Sequence, residues 1–271
     1  MYISEYYLTY KRIGVYIYLL LAFIGLITAF IKVKKIKTNW FLFSTNGAVA
    51  YSALVLLALF NWDSVITSFN INRARERGRV VDKLYLTGLG GTNLPELLQL
   101  KASSKHYDYS FAYLTDYKLY HFMEESRSRG LPSFCFDTYS TRRALLDQDL
   151  VKTVTDLSLS HAQISDLSDL NPFRNLSRLD LRDNSIRQTQ QLLAFPHLKT
   201  LDLRENEIYV LKGMQQLQEL EELDISKNPV VDYSPLISLK KLKKLSVDSN
   251  IKTWELNRLL AELPNTLILK K

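Results

Sequence analysis

Residues 176–197 read LSRLDLRDNSIRQTQQLLAFPH, and residues 198–219 read LKTLDLRENEIYVLKGMQQLQE. The two 22-residue stretches superimpose position by position: Leu176, Leu179, Leu181, Asn184 and Ile186 meet Leu198, Leu201, Leu203, Asn206 and Ile208. Extended both ways, the frame gives cassettes starting at Val154, Leu176, Leu198, Leu220 and Leu242, with a partial sixth at Pro264. The fourth keeps Leu220, Leu223, Ile225, Asn228 and Val230. The second half of the cassette repeats too, since Ile164, Leu167, Leu170 and Phe173 correspond to Ile208, Leu211, Met214 and Leu217, and then to Val230, Tyr233, Leu236 and Leu239. A fixed period of about 20 to 50 residues marks a solenoid, in which one unit is too small to bury its own apolar face and must stack on its neighbours.

Within a cassette, Leu179-Asp180-Leu181 puts alternate residues on opposite faces of a strand, leucines into a core and aspartate to water. Asn184, Asn206, Asn228 and Asn250 fall at the bend after each strand, where an amide side chain can satisfy backbone groups left by the turn. This ladder is expected to be structural. Ala162 breaks it in the first cassette, and Lys252 replaces an apolar residue in the last, ahead of an expected capping helix from Trp254 to Leu263 and a final strand from Leu267 to Leu269. The pattern L-x-x-L-x-L-x-x-N-x-I resembles the leucine-rich repeat family, in the 22-residue class of bacterial internalin-like proteins. That resemblance implies a right-handed solenoid over residues 151–271, with a short-stranded parallel sheet.

With the leucines inward, Asp180, Asp202 and Asp224 form an outward column on neighbouring strands about 4.8 Å apart. Arg182 and Arg204 follow two residues along, placed to offset the repulsion. Arg178, Glu222 and Lys244 extend the strip. These eight residues are the candidate protein-binding face, fitted to a partner with a mixed-charge surface. The plainer reading is a ladder that neutralises itself and does nothing else, because exposed ion pairs are worth only about 0 to 1 kcal/mol.

The other half of the chain has a different composition. Ile13 to Ile31 carries no charge over 19 residues, and Trp40 to Trp62 carries one uncharged run of 23. About 20 apolar residues span a bilayer, so both are expected to be transmembrane helices, a hairpin within residues 1–62 that makes the lipid bilayer a partner of residues 13–62. A cleaved signal peptide is disfavoured, because lysines rather than small residues follow Ile31. The net charge is +7, but residues 151–271 hold 17 Lys/Arg against 16 Asp/Glu, leaving 18 against 12 in residues 1–150. Lys11, Arg12, Lys32, Lys34, Lys35 and Lys37 flank the spans, as anionic headgroups favour. The excess therefore points to a membrane surface rather than nucleic acid. Arg73, Arg75, Arg77 and Arg79, without interleaved aromatics, read as a solvated helix face or a lipid contact. The loop lysines place the loop in the cytoplasm and both chain ends outside it, in a multi-pass protein of a bacterial inner membrane. One cysteine, Cys135, leaves the redox compartment open.

Residues 63–150 read as a helical linker and N-terminal cap. Asn93 ahead of Leu94-Pro95-Glu96 signals a helix start, and Phe111 to Arg127 has helical apolar spacing that stops near Gly130-Leu131-Pro132. Asn61, Asp63, Ile66, Asn70, Arg73, Asp82, Tyr85, Leu86 and Pro95 resemble the end of a bacterial family of multi-spanning membrane proteins of unknown function. The approach to the first span, Tyr7 to Tyr16, and the stretch from Phe136 to Leu145 fit the same family end. The resemblance covers residues 1–150 and implies further spans upstream, so the chain is also expected as the regulatory C-terminal tail of a larger transport or envelope-assembly protein. Gly88-Leu89-Gly90-Gly91-Thr92 departs from the family, and it lacks the third glycine of a dinucleotide loop and the Gly-Lys ending of a phosphate loop. His106, His121, His161 and His197 are scattered. No catalytic, cofactor, small-molecule or metal constellation emerges.

Overall fold

The computed structural model describes residues 8–104, 108–128, 141, 143–145 and 150–271. The chain divides into two compact units, Met1–Glu96 with Phe134–Thr141, and Leu97–Ser133 with Arg142–Lys271. His106, Cys135 and most of the stretch from Phe136 to Leu145 lie outside the described residues.

The first unit is helical. Helix α1 (Tyr10–Lys34) starts where Thr9, in extended backbone, accepts from the Arg12 amide. It ends with Lys32 and Lys34 at its negative pole, just before Ile36 takes a left-handed φ of 48°. Helix α2 (Asn39–Leu59) returns alongside, and Thr28 Oγ1 reaches both Gly25 O and Asn46 Oδ1 at 2.8 Å. Phe23, Leu26 and Phe30 of α1 and Trp40, Phe43, Tyr51 and Leu54 of α2 are exposed. Among the described residues α1 is the one helix long and apolar enough, by length and composition, to cross a membrane. The run expected to continue to Trp62 stops at Leu59. Phe60 takes extended backbone, and Asn61 caps a new helix, α3 (Trp62–Glu76), by accepting from the Ser64 amide.

The residues that carry the N-terminal family resemblance hold this unit together. Asn61 also donates to Thr92 O at 3.1 Å. The buried Asp63 carboxylate accepts from the Tyr10 hydroxyl and from Thr92 Oγ1. Asn70 clamps the backbone of Leu8 from both sides, donating to its carbonyl and accepting from its amide. Asp82 caps the short helix α4 (Lys83–Thr87) through the Tyr85 amide, and Ile66 and Leu86 are fully buried. Gly90 is glycine for a packing reason. A Cβ there would sit 2.2 Å from Asp63 Oδ2, and a carboxylate in that position repels phosphate. A single 3-10 turn, Gly91–Asn93, leads into α5 (Leu94–Ser103), with the Asn93 amide directed to Thr67 Oγ1 and Leu86 O.

In the second unit α6 (Tyr109–Ser128) is capped by Asp108, which accepts from the Phe111 amide. Six short strands follow: β1 (Asp156–Ser158), β2 (Arg178–Asp180), β3 (Thr200–Asp202), β4 (Glu222–Asp224), β5 (Lys244–Val247) and β6 (Leu267–Lys270). They form one parallel sheet in sequence order. Leu157, Leu179, Leu201, Leu223 and Leu245 lie in register and are buried. Single 3-10 turns at Ser168–Leu170, Gln190–Ala194, Met214–Gln216 and Ser234–Ser238 return the chain between strands, and Phe173, Phe195, Leu217 and Leu239 fill the interior behind them. The expected cap helix is α7 (Thr253–Glu262).

The asparagine ladder is built in three of its four places. Asn206 Oδ1 accepts from the Ile186 amide at 3.0 Å, and its Nδ2 donates to Leu181 O and Leu203 O at 2.9 and 3.0 Å. Asn184 and Asn228 do the same one cassette to either side. The residues just before them, Asp183, Glu205 and Lys227, take left-handed φ values of 53° to 58°, and the ladder holds that unfavourable backbone in place. Asn250 does not join: it is exposed. Ser185 and Glu207 donate to the preceding cassette at 2.9 and 3.0 Å, but Pro229 at the equivalent position has no N–H. The Val230 amide turns instead onto Asn228 O.

The first strand has an edge away from β2, where Asp156, Ser158 and Ser160 point their backbone groups. Side chains of α5 and α6 satisfy all three. Lys101 Nζ donates to Asp156 O at 2.9 Å, Asp116 Oδ2 accepts from Ser158 N at 2.9 Å, and the Tyr113 hydroxyl donates to Ser160 O at 3.0 Å. Lys101 and Asp116 also pair with each other at 2.5 Å. An open sheet edge invites pairing with another chain, and this cap closes it.

Candidate protein-binding face

The strand register builds the expected column. Asp180, Asp202 and Asp224 are Cα partners across β2, β3 and β4, and a second row runs Arg178, Thr200, Glu222, Lys244. Arg178, Asp180, Asp202, Glu222, Asp224 and Lys244 all line one hollow of about 280 Å³ on the outward face of the sheet. Arg182 and Arg204 sit two residues further along, outside that lining, and the Nε atom of each is buried with no hydrogen-bond partner.

Each aspartate has a local task as well. Asp180 Oδ1 accepts from the Arg182 amide at 3.1 Å, Asp202 Oδ1 from the Arg204 amide at 3.0 Å, and Asp224 Oδ1 from the Ser226 amide at 3.1 Å. These are side-chain turns that end each strand, and they fix the carboxylates against the sheet. The second oxygens differ in company. Asp180 Oδ2 has Arg182 at 3.7 Å, and Asp224 Oδ2 has Lys271 Nζ at 2.6 Å. Asp202 lies between two like charges. Burial raises its pKa, the Arg204 amide partly offsets this, and Asp180 and Asp224 raise it further. Burial also pushes Asp224 up, but the Lys271 ammonium and the hydroxyl and amide of Ser226 outweigh it and hold the carboxyl below its usual value. The face is therefore a row of three carboxylates, compensated at both ends and least compensated in the middle.

Several lining residues were not in the expected strip. Asp156 and Ser246 stand at cassette positions equivalent to Arg178 and Asp180, so the repeat frame could have found them. Tyr109 and Lys271 come from α6 and the end of the chain, and no spacing announces them. Elsewhere, the half-buried His121 lies 3.2 Å from Glu124, and His161 pairs with Asp183 at an exposed position. No cluster of three metal-ligating side chains occurs among the described residues.

Comparison with known proteins follows the same division. No curated protein matches the chain. Among solved structures, a leucine-rich repeat protein of Leptospira interrogans aligns at 29% identity over 45% of this chain and 32% of its own, with a TM-score of 0.41. Internalin C2 of Listeria monocytogenes aligns at 23% identity over 45% and 72%, with a TM-score of 0.27, and internalin InlF of the same species at 16% over 47% and 53%, with 0.31. The chain thus spans about a third of the Leptospira protein. The repeats suggest protein–protein interaction and the N-terminal half suggests a membrane protein, because residues 174–230 match the family described as Leucine rich repeat and residues 1–100 match Domain of unknown function (DUF4153).

Proposed function

We propose that the chain is a membrane-anchored protein-interaction module without catalysis of its own. Residues 1–62 serve as a two-helix anchor, residues 63–150 as linker and cap, and residues 151–271 as a solenoid that offers the strip from Arg178 to Lys244 to a protein partner. The observation that carries the reading is the in-register carboxylate column lying in one groove with Arg178, Glu222 and Lys244. Solenoids commonly use this face for binding, and a mixed-charge strip favours a partner of complementary pattern through its association rate. The apolar, exposed surfaces of α1 and α2 support the anchor, and the lysines between them favour a cytoplasmic loop with the repeats on the far side.

The test separates charge from fold. Asparagine keeps the Oδ1 acceptor that ends each strand, so the triple variant Asp180→Asn, Asp202→Asn, Asp224→Asn removes the charge and retains the turns. Captured partner should fall, with a weaker salt dependence, while the melting midpoint stays close to wild type. Unchanged capture by that variant would move the interface elsewhere. A second reading follows from the match of residues 1–100 to DUF4153: the chain is the regulatory tail of a larger multi-spanning transport or envelope-assembly protein. An in-frame coding sequence upstream of Met1 with further spans would favour it.

A further inference from the structure

The arginine run at the end of α3 has no part in the solenoid or its caps. Residues 73–84 carry five basic and two acidic side chains. Both acids are committed locally: Glu76 pairs with Arg73 at 3.4 Å, and Asp82 accepts from the Tyr85 amide as the cap of α4. Arg75, Arg77 and Arg79 make no ion pair or side-chain hydrogen bond among the described residues. A helix C-terminus favours cations over its last turn. That accounts for Arg73 and Arg75 but not for Arg79, which lies beyond Gly78 at its left-handed φ of 59°. Val80 and Leu84 follow at once, 87% and 71% exposed. Single apolar side chains scattered on a surface need no explanation, but these two project from the same short segment as three unpartnered guanidinium groups. The place is specific as well. Helix α3 is pinned against the first residues of α1, Asp63 on Tyr10 and Asn70 on Leu8, and the arginine run begins within one turn of Asn70.

We propose that residues 75–84 form a binding site for anionic phospholipid headgroups, in which Arg75, Arg77 and Arg79 hold phosphate while Val80 and Leu84 enter the interfacial layer beside α1 and α2. A guanidinium fork presents parallel donors to phosphate oxygens. Attraction to anionic lipid together with buried apolar area is what holds a segment in the bilayer interface. Nucleic acid is the weaker fit, because no aromatic side chain alternates with the arginines for a base to stack on. The proposal rests on the membrane-anchored reading, which supplies the bilayer, and not on the binding face of the repeats. Anchoring by itself asks for no particular headgroup, so lipid charge separates the two.

The experiment reconstitutes the full chain in vesicles of phosphatidylcholine alone and of phosphatidylcholine mixed with phosphatidylglycerol, with an environment-sensitive fluorescent amino acid in place of Leu84. Phosphatidylglycerol should shift the emission to the blue and open it to quenching by brominated acyl chains, and high salt should reverse both. Each arginine replaced by glutamine should lower the docked-to-undocked ratio about fivefold, so that Arg75→Gln, Arg77→Gln and Arg79→Gln together abolish the response. Should that variant not fold, the salt titration of the chain with its arginines intact and Val80→Ser, which should weaken the quenching, carry the test. The same emission in both vesicles, a blue shift that survives the triple substitution or high salt, or a shift produced by polyuridylate RNA and not by phosphatidylglycerol would overturn the proposal. Failure of the anchored reading is a different result: release of the chain from both vesicles by carbonate, whatever the emission at residue 84.

Discussion

Replacing Asn206 by alanine tests the ladder more sharply than any leucine does, because the chain contains its own control. The Asn206 side chain satisfies three buried backbone groups: the Ile186 amide and the Leu181 and Leu203 carbonyls. A hydrogen bond contributes about 0.5 to 1.5 kcal/mol net, and an orphaned buried donor costs about 1 to 3 kcal/mol. Asn206→Ala should therefore destabilise the repeats by roughly 2 to 4 kcal/mol, with the Ile186 N–H the dominant loss. Asn250 occupies the same cassette position, but its side chain is exposed and outside the ladder. Asn250→Ala should stay within about 0.5 kcal/mol of wild type. Urea unfolding followed by pulse proteolysis gives the two stabilities, and hydrogen exchange at Ile186 gives the local reading. Equal losses in the two variants, or an Ile186 amide still protected in Asn206→Ala, would refute the account of the ladder.

Leu201 is 1% exposed between Leu179 and Leu223, so Leu201→Ala should cost about 2 to 5 kcal/mol through lost burial and a cavity, and an unchanged melting midpoint would show the repeat frame to be misplaced. Asp116 supplies a pH dependence. Burial raises its carboxyl to about 6 in spite of the adjacent Lys101 ammonium. Its folded value lies above the ordinary aspartate value of 3.8, so between about pH 4 and 6 the folded chain holds more protons than the unfolded one. This residue's contribution to stability therefore falls as pH rises through that window and levels off above it. Asp116→Asn should flatten that part of the melting profile, and an identical profile would remove Asp116 as the cause. With α1 and α2 as the proposed anchor, each satisfying its backbone internally, the protein should sediment with membranes and resist carbonate, whereas full release by carbonate would remove the anchor.

The repeat was legible because its signal is periodic: one correct frame places five strands, their buried leucines and the carboxylate column together. What escaped that reading depends on single residues that interrupt the period or act across it. Asn250 keeps the cassette position of the other three asparagines, yet it is exposed and outside the ladder, with the Val230 amide bonded to Asn228 O. The closure of the first strand joins Lys101 and Asp116 to Asp156 and Ser158, residues far apart in sequence with no shared pattern. Lys271 compensates Asp224 from 47 residues away for the same reason. In the N-terminal unit the resemblance picked out the right residues without their tasks. Asn61 and Asp82 cap helices, Asn70 clamps the Leu8 backbone and Asp63 accepts from two hydroxyls, roles that need the positions of Tyr10, Thr92 and Leu8 to be seen.

The outward face of the sheet is the proposed contact with a partner. Thr200 stands in the middle of that groove between Arg178 and Glu222, and Gln216 is exposed on the return segment of the same solenoid. A photo-reactive amino acid placed at each position in the membrane-bound full chain gives the most direct measurement. A discrete crosslinked product from Thr200, absent from Gln216 and lost on adding the Asp180, Asp202 and Asp224 asparagine substitutions, is the predicted result. Crosslinking from Gln216 and not from Thr200 would contradict the account.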